Sequence, residues 1–209
     1  MTGGSPFPIL RPMQRDRDLA SGLLLAGSAL AMTVVMVLHP TGHARGMLNR
    51  VVHGLALAAT PALFLGMLGV QQRLAPSRLA TAAVVAWGFG SIAVAGAALA
   101  SGFVTPGVLA QQLPRELLAY TFLWNQACAA VNVVAWGIAI LLWSAAIART
   151  GRLPVPLAGS GFLVAALVLL GFGSGHLRTD VHGFGIITFV QSAWLLWLGI
   201  VLCLGEGRT

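Results

Sequence analysis

Hydrophobic positions in this chain do not alternate or recur on one face; they come as six long unbroken runs separated by short polar or Gly/Pro-bearing breaks. The runs cover about Leu19–Leu38, Val51–Val70, Leu79–Ser101, Leu117–Arg149, Leu157–Phe172 and His182–Leu204. Each reaches or approaches the roughly 20 apolar residues needed to cross a hydrocarbon core of about 30 Å. Backbone polar groups in that solvent are satisfied only within a helix or a closed barrel, and runs apolar on all sides are helical. The expected fold is an all-α integral membrane protein, a six-transmembrane-helix bundle (19–204). It is flanked by a cytoplasmic N-terminal segment (1–18) and a cytoplasmic tail (205–209).

The breaks refine the pattern. Pro40 and Gly42 stop the first span, and Thr60-Pro61 marks a kink in the second. The third is rich in Gly and Ala, which suits close helix packing. Residues 102–116 form the longest connection, and Thr105-Pro106 and Leu113-Pro114 each resemble a helix start, so a short interfacial helix is expected there. Val-His-Gly opens both the second span (52–54) and the sixth (181–183), so the first two spans look like an echo of the last two.

Composition agrees with a bilayer as solvent: of 209 residues 57% are hydrophobic and 8% charged, and the mean hydropathy is +0.87. The net charge of +7 comes from twelve arginines and no lysine. Eight (11, 15, 17, 73, 78, 149, 152 and 208) fall on one side of the bundle and four (45, 50, 115 and 178) on the other. That asymmetry predicts both termini in the cytoplasm, with membrane lipid rather than nucleic acid as the partner of the charge. The inner membrane of a bacterium is the expected location. A protein partner in a membrane complex is a further expectation.

The inventory excludes several chemistries. Without lysine there is no Schiff base and no Walker-type phosphate loop. The five acids (Asp16, Asp18, Glu116, Asp180 and Glu206) all lie near span ends, which disfavours buried-carboxylate ion coupling and aspartyl proteolysis. Ser174 precedes His182 by eight residues, but the Gly-x-Ser-Gly pattern of intramembrane serine proteolysis is absent, since Phe172 occupies the first glycine position. Cys128 and Cys203 lie towards opposite ends of their spans and read as packing residues.

The remaining candidate chemistry is imidazole. All five histidines sit at two span connections: His39, His43 and His53 at one, His176 and His182 at the other. Neutral imidazole binds zinc, copper and iron, haem iron included. His53 and His182 are the expected facing pair, with Gly54 and Gly183 leaving clearance for a b-type haem. His39, His43 and His176 could complete a site for a Cu, Zn or Fe ion instead. Either would make a binding protein with a possible electron-transfer role. Met32, Met36 and His39 recur at helical spacing and would suit Cu(I). Asp180 is placed to orient His182 or to pair with Arg178. A different function, small-molecule or lipid transport, would use Asn125 and Asn132 of the fourth span and Gln191 of the sixth to line a cavity. The plain alternative is one interhelical hydrogen bond.

Overall fold

The computed structural model describes residues 10–40 and 46–205. It contains helices α1 (Leu10–Val37), α2 (Gly46–Leu74) and α3 (Arg78–Leu99). A π-helical turn (Ala100–Val104) leads on to α4 (Thr105–Ala110), followed by α5 (Arg115–Thr150), α6 (Val155–Gly173) and α7 (Val181–Leu204). Among the described residues there is no strand. Six helical segments are long and apolar enough to cross a membrane, with α3, the π-turn and α4 forming one of them.

Helix ends follow local chemistry. Ser77 caps α3 by accepting from the Ala80 N–H at 3.3 Å, and Asp180 caps α7 through the Gly183 N–H at 2.8 Å. Gly151 and Gly205 terminate α5 and α7 at φ of 61° and 68°, a conformation that glycine adopts without steric cost. Inside the helices, the hydroxyls of Thr60, Ser91, Ser144 and Thr188 each donate to the carbonyl four residues back. That removes unpaired hydroxyls from an apolar setting.

The helices form a ring of antiparallel neighbours in the order α1, α2, α3, α5, α6, α7, with α7 returning to α1. The α1–α7 seam is built on small residues. A Cβ on Gly22 would lie 2.6 Å from both the Gly199 carbonyl and the Cys203 Sγ, and one on Gly199 would lie 2.8 Å from the Gly22 carbonyl. These backbones touch because neither position carries a side chain. Between α3 and α5, Trp87 and Trp136 stack with centroids 4.0 Å apart and planes 6° apart. The Trp136 indole donates to the Trp87 carbonyl at 3.2 Å. Trp143 is fully buried beside Trp87.

Three boundaries differ from the hydrophobic pattern. The expected long connection at 102–116 shrinks to residues 111–114, because the helix passes through Pro106. That proline is the second residue of α4, where a missing N–H is tolerated, and the wide π-turn before it absorbs the change of geometry. In addition, α1 starts at Leu10, well before the apolar run, and α2 starts at Gly46 rather than near Val51. The termini of the bundle lie at one end. The other end, where α1 finishes and α2 begins, carries the described histidines.

Candidate metal centre at the histidine end

The longer α2 decides which histidines meet. His53 is the eighth residue of its helix and His182 the second of α7, so the two Val-His-Gly segments do not occupy equivalent places in their helices. His53 is accordingly buried at 7% exposure, whereas His182 and His176 are exposed. The ring lying against His53 is that of His39, two residues beyond α1, with centroids 5.0 Å apart and planes at 69°. His43 lies outside the described residues. His176 accepts or donates at Nδ1 to the Ser174 hydroxyl at 2.9 Å, so that serine is engaged two residues along its own turn.

Three contacts build the pocket around His53. Its Nδ1 lies 2.8 Å from the Asn49 carbonyl. A carbonyl can only accept, so Nδ1 carries the hydrogen, and in the neutral ring Nε2 holds the free lone pair. The Asn49 side chain donates across to the Ser101 carbonyl at 2.8 Å, tying the first turn of α2 to the π-turn. In that π-turn Gly102 packs directly on His53, and a Cβ there would fall 2.4 Å from the His53 Cβ. A widened turn, a glycine and an asparagine clamp therefore set the imidazole.

His39 is half-buried, and its Nδ1 is buried without a hydrogen-bond partner. Burial holds its pKa below the ordinary 6.5, and the nearby His53 acts in the same direction. The Pro40 backbone, whose polar group is a carbonyl, opposes both. The ring is thus kept neutral, the form that binds metal.

The edge-on arrangement is one that aromatic quadrupoles favour by themselves. It also has the dimensions of a two-imidazole ion site. With metal–nitrogen distances of about 2.0 Å, two imidazoles at a tetrahedral angle bring their centroids to about 5 Å, and two on opposite sides of an iron to more than about 6 Å. The His39–His53 pair matches the first and leaves no room for a porphyrin between the rings.

The two glycines expected to clear space for a cofactor differ in what stands beside them. A Cβ at Gly183 would lie 2.2 Å from the Arg178 carbonyl, so its clearance is filled by the preceding loop. Gly54 faces open space, with nothing within 4 Å of where a Cβ would stand. Asp180 serves as the α7 cap and lies 4.0 Å from Arg178. Among the described residues, no group of three or more His, Cys, Asp or Glu side chains is close enough to hold a metal ion.

The transport candidates are dispersed in role. Asn132 is buried and donates to the Gly90 carbonyl of α3 at 3.1 Å. Asn125 is half-buried, and its neighbour Gln126 accepts from Thr179. Gln191 is 2% exposed, with its Nε2 unpaired. Met32 belongs to the core, and Met36 packs at its edge, its methyl 3.4 Å from where a Gly185 Cβ would stand. Sequence reasoning missed Asn49 and Gly102; the only trace of them was an amide one turn before His53 and a glycine near a Pro-bearing segment. Family models, curated proteins and solved structures yield no match to this chain.

Proposed function

We propose that this multi-pass membrane protein binds a transition-metal ion, Cu or Zn before Fe, through His39 and His53. Both termini and the arginine-rich end would face the cytoplasm, and the histidine end would face the outside of an inner membrane. The observation that carries the reading is the pairing of two differently prepared imidazoles. His53 has its tautomer fixed by a backbone carbonyl, as metal-ligating histidines commonly do, and His39 has a buried Nδ1 without a well-formed hydrogen bond, the Pro40 carbonyl alone acting on its ring. An unsatisfied buried polar atom costs about 1–3 kcal/mol, a penalty that an ion would relieve.

Two imidazoles leave coordination positions open to water or to a passing ligand. Such a site suits an ion that enters and leaves, and bound copper would supply one-electron chemistry. The centroid spacing of His39 and His53 suits an ion rather than a haem held between those two rings. An absorption spectrum of the purified protein, taken oxidised and then reduced, tests this directly. A site of this kind gives no Soret band, and it takes up Cu(I) or Zn(II) from a competing chelator in a manner that His39→Ala abolishes. A Soret band, or uptake indifferent to His39, overturns it.

A second reading, small-molecule or lipid transport, is favoured by the unpaired buried amide of Gln191. Stabilisation of metal-free protein by a substrate, lost in Gln191→Leu, would support it.

A further inference from the structure

At the opposite end of the bundle, a cleft of about 330 Å³ opens between the first turns of α1 and the last turns of α2. Helix α1 lines it with Gln14, Arg17, Asp18 and Ser21, spaced to share one face, and α2 contributes Gln72 and Arg73. Gly69 closes the floor, for a Cβ there would collide with the Ser21 hydroxyl. We infer that this cleft is a binding site for a phosphate-bearing anion, either the phosphodiester of an anionic phospholipid headgroup or a free phosphate group.

Charge, donors and place all point to such a ligand. Arg73 is held inward by Asp18 at 3.7 Å, with side-chain exposures of 11% and 8%. Its backbone is fixed in turn by Arg152, whose guanidinium donates to the carbonyls of Arg73 and Ala75. Arg17 is exposed beside it, so the lining carries two guanidinium charges against one carboxylate. Two carboxamides and a hydroxyl supply further neutral donors. Guanidinium groups match phosphate oxygens with paired N–H bonds, and the volume lies at the small end of the range for bound small molecules. The cleft sits where helix ends meet headgroups, at the end where the described Arg15, Arg78 and Arg149 are also exposed. Basic pockets between membrane helices at such a surface hold anionic lipid headgroups.

The test uses the full-length chain, delipidated in neutral detergent, with native mass spectrometry and thermal unfolding as readouts. The probes are phosphatidylglycerol, phosphatidylcholine and inorganic phosphate. Phosphatidylglycerol should bind more tightly than phosphatidylcholine, and Arg17→Gln should weaken it by about five-fold, the loss of one arginine at an anionic surface. Arg15→Gln, on the same helix but outside the cleft, should leave binding unchanged. If instead inorganic phosphate stabilises the protein in an Arg17-dependent way while lipid headgroup makes no difference, the ligand is a free phosphate. Both outcomes uphold an anion site. Equal weakening by Arg15→Gln and Arg17→Gln, or no Arg17-dependent binding of either phosphate source, overturns it.

Discussion

Gly102 and His53 show how little space the histidine end has to spare. A methyl group at 102 would need to occupy the volume of the His53 Cβ, 2.4 Å away. Gly102→Ala is expected to destabilise the protein by about 1–3 kcal/mol, the usual cost of overpacking, and to weaken metal uptake by moving the ring off its Asn49 contact. Thermal unfolding and chelator competition on the same preparation check both effects. The His39 ring makes a pH-dependent prediction. Above 6.5, its ordinary value, the ring is neutral in both the folded and unfolded chains. As pH falls through that value the unfolded chain takes up a proton that the folded site resists, so stability drops until the lower folded-state pKa is passed. Metal-free protein should therefore melt at a lower temperature at pH 5.5 than at pH 7.5, and His39→Gln should flatten the difference.

Helices decide which of these residues can meet. The hydrophobic runs located all six helices long and apolar enough to cross a membrane, because length and polarity are what a bilayer demands of a span. They did not locate the starts of α1 and α2, which extend into polar turns that hydropathy does not register. Val52-His53-Gly54 and Val181-His182-Gly183 look equivalent as text. His53 lies inside α2 against Gly102 and is buried, while His182 lies at the exposed start of α7. His39 and His53 share one connection and were legible as candidates, whereas the contact of Asn49 with Ser101 joins distant segments and leaves little local trace. The α1–α7 seam is a similar case, since Gly22 and Gly199 become informative only as a pair. Gly199→Leu should part these helices and lower the melting temperature markedly. Asn132→Leu, which removes the hydrogen bond to Gly90, should cost only about 0.6 kcal/mol. A reversal of that order, read by thermal unfolding in detergent, would mean that Asn132 does more than join α3 to α5.

Across the whole molecule, the ring of six antiparallel helices gives each end a different chemistry. One end gathers arginines and the Asp18–Arg73 pair; the other presents two adjacent imidazoles in a clamped, half-enclosed setting. With the arginine end facing the cytoplasm, reporter fusions at the N- and C-termini should both read as cytoplasmic. A fusion within residues 111–114 should read as external, and the reverse pattern would put the histidines inside. The metal-to-chain ratio reached when purified protein is titrated with Cu(I) or Zn(II) bears most directly on the function. The two-histidine site predicts about one transition-metal ion per chain, lost in both His39→Ala and His53→Ala and kept in His182→Ala. A substoichiometric ratio in the parent protein, or one that survives His53→Ala, would contradict it.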